Sequence, residues 1–167
     1  PRAEGLGEAL AIVYGVAADE QREVLVRRAP LVRFGVPSFW PYIGDQPPYH
    51  NAAIWPQVVG FWTWAAAEAG NEAAVEHGLG SIYRAAALFL TNKENMVAAT
   101  GHFEGTELNS DRLIGSVGAN LATVFRVLFG MRFEYDRLAF RPFVPRTYDG
   151  ERTLRNFRYR GATLTIT

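Results

Sequence analysis

Between Trp40 and Trp55 the chain gathers side chains suited to a polyhydroxylated ligand: Trp40, Tyr42, Tyr49, His50, Asn51 and Trp55. A sugar ring presents C–H groups on its face and hydroxyls at its edge. Aromatic planes meet the face, while His, Asn and carboxylates meet the hydroxyls. A polar stretch from Thr91 to Asn109 adds Glu94, Glu104 and Glu107. Glycoside hydrolysis uses two carboxyl groups across the scissile bond, one as acid and one as base or nucleophile. Tyr49 and His50 stand just before a helix on a loop stiffened by prolines, a position that favours an exposed cleft. Trp62 and Trp64 fall inside a helical pattern and are read as packing residues. Glu4 and Glu8 open the first helix and are read as stabilising its positive end rather than holding a sugar.

The elements that must position these groups follow from periodicity. Gly5 to Ala17 reads as an apolar helix, and Asp19 as the N-cap of a second helix running to Ala29 and stopped by Pro30. The two are expected to form a hairpin. Leu31 to Asn51 contains Pro37, Pro41, Pro47 and Pro48, so a long non-helical loop is predicted there. Ala52 to Ala69 is a strong helix with Trp55, Val58, Val59, Trp62, Ala66 and Ala69 on one stripe, and Pro56 suits its first turn. Gly70 and Asn71 then close it and cap a helix from Glu72 to Leu90. After the Thr91–Asn109 loop, Ser110 is the expected cap of a helix to Phe129. Its apolar stripe is Ile114, Val117, Leu121, Val124, Phe125 and Leu128. Beyond Gly130 the period shortens to two, and Met131–Tyr135, Leu138–Phe143, Phe157–Tyr159 and Leu164–Ile166 read as strands, with Gly161 at a hairpin turn.

Composition narrows the function. The 167 residues hold 17 Lys+Arg and 17 Asp+Glu, a balance that argues against nucleic acid or an anionic membrane as partner. With 49% hydrophobic and 20% charged residues, the chain can build a core. There is no cysteine, so disulfides, thiol catalysis and cysteine-ligated zinc are excluded. No apolar run reaches the length of a membrane helix. His50, His77 and His102 lack metal-ligand spacing, and no metal or other cofactor is expected. Gly78-Leu79-Gly80 lies in a helical pattern without a preceding strand and is not a dinucleotide loop. No Gly-x-Ser-x-Gly step is present. The arginines from Arg152 to Arg160 alternate with apolar residues, as one face of a strand does.

The segment Tyr49-His50-Asn51-Ala52-Ala53-Ile54-Trp55-Pro56 resembles the Tyr-His-Asn/Arg-Gly-x-Val/Ile-Trp-Pro stretch of bacterial glycogen-debranching-like and related six-hairpin glycosidases. The stretch from Gly101 to Gly130 is similar to the last part of their toroid, and Phe140-Arg141-Pro142-Phe143-Val144-Pro145 to the link into an appended β-sandwich. The resemblance implies a mainly α fold, with residues 1–130 as the C-terminal hairpins of an (α/α)6 toroid and 131–167 as the start of a β-domain. It implies an inverting glycoside hydrolase acting on an α-linked oligosaccharide or polysaccharide. The general acid would lie in an earlier hairpin, on missing N-terminal hairpins of the same protein or on another chain. The base would lie in the Thr91–Asn109 loop.

The sequence departs from the family in two places. Ala98, Ala99 and Gly101 occupy the region where relatives carry a glutamate, and Gly115-Ser116 replaces a Trp-Ser pair. Glu107 and Glu104 are the expected base candidates, and Tyr49, His50, Asn51, Trp55 and Trp40 the expected sugar-binding residues. Two other readings share the toroid. One is a carbohydrate-binding protein without catalysis. The other is a polysaccharide lyase in which Tyr49 or His50 abstracts a proton.

Overall fold

The computed structural model describes residues 2–167. Within them lie five helices: α1 (Gly5–Val13), α2 (Asp19–Arg28), α3 (Pro56–Glu68), α4 (Glu72–Phe89) and α5 (Ile114–Ala122). Eight short strands pair as four antiparallel two-stranded sheets. These are β1 (Ala3–Glu4) with β2 (Phe39–Trp40), β3 (Ala53–Ile54) with β4 (Met96–Val97), β5 (Met131–Phe133) with β6 (Leu138–Phe140), and β7 (Leu154–Tyr159) with β8 (Ala162–Ile166). Helix covers 41% of the chain and strand 18%, so the expected mainly α chain is in fact a mixed one. The predicted order of helices, long loops and closing strands is the one observed.

Local chemistry explains most boundaries. Pro56 occupies the first turn of α3, where its missing N–H leaves no bond unmade. Residues 53–55, expected inside that helix, are extended instead, because Ala53 and Ile54 pair with Val97 and Met96, and Ala52 turns the chain with φ +50°. Asn71 caps α4 by accepting the Ala74 N–H at 3.0 Å. At α2 the cap position belongs to Ala18 rather than Asp19, and Gln21 reaches back to the Ala18 N–H at 2.9 Å. The first helix stops at Val13 rather than Ala17, because the chain turns back and the Val16 N–H bonds to the Ala11 carbonyl at 2.8 Å.

The centre of the molecule is α3, which packs against α1, α4 and α5. The expected α3–α4 hairpin is present. The expected α1–α2 hairpin is not a packing unit, since α1 lies mainly on α3 and α2 touches α3 as well. Val58, Val59, Trp62, Ala65 and Ala66 of α3 are buried. Trp62, Ala65 and Ala66 join Ile12, Val26, Val75, Leu79 and Val127 in one cluster, and Val59 joins Ile54, Ile82, Met96 and Ala119 in another. Each such aliphatic side chain, fully buried, stabilises the fold by about 1.5–3 kcal/mol relative to exposure.

The outward face of α5 is the apolar one. Ile114, Val117 and Leu121, predicted as core, are 83%, 36% and 51% exposed, while Ser116, Ala119 and Thr123 are buried. Close approach to α3 is the cause. A Cβ on Gly60 would stand 2.7 Å from the Cβ of Ala119, and Gly115 lies hard against Gln57. Only small side chains fit this seam, so the bulky stripe turns away. The expected cap, Ser110, is displaced as well; Leu113 holds that position. The helix continues as a wider π-type coil from Thr123 to Leu128.

Residues 131–167 follow Gly130, whose φ is +60° and which lies against the Arg141–Pro142 backbone too tightly for any side chain. Arg132 pairs with Glu68 of α3, and Arg146 with Glu72 of α4 at 3.2 Å. Phe157 of β7 faces Phe125, and Tyr159 faces Phe133. Arg160 (φ +48°) and Gly161 (φ +81°) make the tight turn of the last hairpin, as predicted from Gly161.

Candidate functional site

A seam of backbone bonds crosses the end of the molecule at which α1, α3 and α5 begin. The Gly5 N–H bonds to the Ser38 carbonyl at 2.8 Å, and the Ser38 N–H to the Ala53 carbonyl at 3.1 Å. The Ala98 N–H then bonds to the Ala52 carbonyl at 2.8 Å. Beneath it lies the Ile54–Met96–Ala119 cluster. The seam ties the 31–51 loop to the 91–113 loop, and the Glu107 N–H bonds to the Pro48 carbonyl at 2.9 Å.

On this seam the structure assembles an aromatic and acidic group. The Tyr49 hydroxyl donates to Glu94 Oε1 at 2.9 Å, and Glu94 Oε2 accepts the Ser110 N–H at 2.9 Å. His50 stacks on Trp55 with centroids 4.8 Å apart and planes 5° from parallel. Tyr49 meets the Trp55 ring edge-on at 5.2 Å. The Trp55 indole N–H donates to the Tyr49 carbonyl at 2.8 Å, fixing the tyrosine backbone. The Glu94 carboxylate, which accepts the phenol's bond, holds the Tyr49 hydroxyl above its usual titration range. Burial and the negative charges of Glu94 and Glu107 push the same way.

The expected site residues divide accordingly. Tyr49, His50 and Trp55 come together. Glu107 lies close enough for its charge to act on Tyr49, with its own N–H held by Pro48. Trp40 is exposed and packs edge-on against Tyr42 at 4.6 Å, in the same loop. Glu104 has an 80% exposed side chain beside His102, to whose Nδ1 it gives its N–H at 3.2 Å. Asn51 faces inward: it is buried, and its amide is spent on backbone groups of Ile43 and Gln46 rather than offered to a ligand.

Glu94 is the residue that sequence reasoning passed over among the three loop carboxylates. A signal was present. Glu94 immediately precedes Asn95 and the apolar pair Met96–Val97, so a buried strand had to begin beside it, whereas Glu104 and Glu107 sit among glycine and polar residues.

Around this group the loops are braced. Lys93 pairs with Asp111 and lies 3.5 Å from the centroid of Phe103. That hydrogen bond and charge hold Asp111 below its ordinary range. Glu4 caps α1 by accepting the Leu6 and Gly7 N–H groups, in keeping with its helix-stabilising reading, while Glu8 accepts the Glu4 N–H at 3.3 Å. Among the described residues, no three His, Asp or Glu side chains are grouped as a metal would need, and no helix is long and apolar enough to cross a membrane. No protein-family model matches the chain, and no curated protein matches it in sequence.

Proposed function

We propose that this chain forms part of the sugar cleft of a glycoside hydrolase built on an α/α toroid, with Glu94 as the carboxylate that activates water. The observation that carries the reading is the Tyr49–Glu94 hydrogen bond beside the stacked His50–Trp55 pair. It sets an oriented carboxylate next to aromatic planes, the two ingredients of sugar chemistry. Each carboxylate oxygen has two lone pairs, and Glu94 uses one on each through Tyr49 and Ser110. The remaining pairs are free to take a water proton. In the inverting scheme the water oxygen attacks the anomeric carbon as its proton passes to the carboxylate, while an acid on the opposite side protonates the leaving oxygen as the glycosidic bond breaks. The acid is not assigned to any residue of this chain. Glu107 ranks behind Glu94 as base, and Glu104 behind both.

The helix arrangement supports the toroid. Helix α3 packs against α1, α4 and α5, and the starts of α1 and α5 lie against the start of α3, with Gly5 beside Val58 and Gly115 beside Gln57. In the toroid reading, further inner helices would stand beside α1 and α5.

Two observations weigh on the alternatives. A lyase using Tyr49 as base needs a phenol that ionises readily, yet the hydrogen bond to Glu94 shifts the ionisation of this hydroxyl upward. The binding-protein reading gains from Gly101, which packs on the Phe34 ring and leaves no space for a carboxylate at that position. Hydrolysis of a panel of α- and β-linked oligosaccharides by the full-length protein, with Glu94→Gln, Glu107→Gln and Glu104→Gln alongside, decides between them. Turnover lost in Glu94→Gln with binding retained supports the hydrolase. Binding without turnover by the wild type supports the non-catalytic reading.

A further inference from the structure

We propose that Asn51 is a positioning residue: it pins the 43–46 turn and so shapes the rim over which a sugar chain enters between Trp40–Tyr42 and Tyr49–His50. The inference rests on the hydrolase reading above. Asn51 is 8% exposed, and its amide makes three bonds to backbone. Oδ1 accepts the Ile43 N–H at 2.8 Å; Nδ2 donates to the Ile43 carbonyl at 2.9 Å and to the Gln46 carbonyl at 2.9 Å. One acceptor facing an N–H and two donors facing carbonyls fix the amide's orientation, since a flipped amide would set like against like. The pinned turn has little else to hold it. Ile43, Gly44, Asp45 and Gln46 are exposed, and Pro41, Pro47 and Pro48 have no N–H to give.

The geometry separates the rim from the reacting group. Trp40 and Tyr42 precede the pinned turn, and Tyr49 and His50 follow it. Tyr49 has anchors of its own: its N–H bonds to the Asn51 carbonyl at 3.0 Å, its carbonyl accepts from Trp55, and its hydroxyl reaches Glu94. Removing the side-chain amide of Asn51 therefore releases the rim while the Tyr49–Glu94 pair stays tied. Ligand affinity should suffer and the chemical step should not.

The test uses Asn51→Asp in the full-length protein with maltoheptaose as probe, and amide hydrogen exchange at Ile43 in both proteins. Aspartate keeps the acceptor for the Ile43 N–H and sets carboxylate against the Ile43 and Gln46 carbonyls. The expected result is a KM about tenfold higher with kcat changed less than about threefold, the signature of lost binding rather than lost chemistry. The Ile43 amide should be protected in the wild type, despite its exposed side chain, and exchange faster in the variant. A fall in kcat at unchanged KM overturns the proposal. An unprotected Ile43 amide in the wild type overturns it too, whether or not the variant folds. If the wild type neither binds nor cleaves maltoheptaose or any other oligosaccharide of the panel, the functional reading fails first and takes this inference with it; the Ile43 exchange rate then shows separately whether the pin exists.

Discussion

Tyr49 and Glu94, 45 residues apart in the chain, are joined by a 2.9 Å hydrogen bond from phenol to carboxylate. This bond links the two long loops through the side chains best suited to chemistry. If Glu94 is the base, Glu94→Gln lowers kcat by roughly 10²–10⁴, the range of a lost general base. Tyr49→Phe removes only an orienting donor and is expected to cost about tenfold. Steady-state kinetics on the best substrate of the panel reads both. Full activity in Glu94→Gln would move the assignment to Glu107.

Burial and charge at Glu8 give a pH-dependent prediction. Partial burial raises its carboxyl above the ordinary value; the Glu4 N–H offsets part of that, and the Glu4 charge adds to it. With the folded pKa above the unfolded one, the unfolded chain loses its proton first as pH rises. Stability tied to Glu8 is thus present at acid pH and lost as pH climbs through the folded pKa. Glu8→Gln, which keeps an oxygen for the Glu4 N–H, should melt higher than wild type at pH 7. The gap should close below about pH 4, where the carboxyl is protonated in both states. A lower Tm for Glu8→Gln at pH 7 would mean that attraction to the α1 N-terminus outweighs burial.

Two glycines predict opposite responses to alanine. At Gly60 a new Cβ meets Ala119 Cα at 2.9 Å, a backbone atom that cannot move without shifting α5. Gly60→Ala should therefore destabilise by about 1–3 kcal/mol. Gly80 lies inside α4, is exposed, and has open space where its Cβ would go. Gly80→Ala should gain up to about 1 kcal/mol through helix propensity. Urea unfolding of the two variants measures both, and equal signs would contradict the packing described for the α3–α5 seam.

How far the sequence foretold this structure depends on the range of each interaction. The helices were legible because Pro56, Asn71 and Gly130 act on their immediate neighbours. Strands of two residues, such as β3 and β4, were not, because Ala53 and Ile54 become extended only by pairing with Val97 and Met96, 44 and 42 positions away. Likewise Tyr49, His50 and Trp55 form one cluster largely because they are close in sequence, while Glu94 joins it through long-range pairing. Asn51 shows the limit of residue type: a polar side chain next to a ligand-like motif is spent on the backbone of its own loop. In α5 the helical period was read correctly and the buried face was not. The hydrophobic rule puts Ile114, Val117 and Leu121 inside, and steric fit to Gly60 reverses it.

That reversal carries the last prediction. Ile114, Val117 and Leu121 recur along one side of α5 and all reach solvent, with Gly118 exposed between them. An exposed apolar stripe of this kind marks a contact surface, and a helix beside α5 is what the toroid reading would put there. The isolated 167-residue chain should accordingly self-associate, with an average mass that grows with concentration in sedimentation velocity. Replacing Ile114 and Leu121 together by Lys should return it to a monomer. Both side chains are exposed, so the double variant should unfold within about 0.5–1 kcal/mol of wild type, as surface changes do. A large loss of stability would mean that these residues pack within the chain. A wild type that is already monomeric and melts cooperatively would mean that nothing needs to cover this face, and would count against a ring of inner helices.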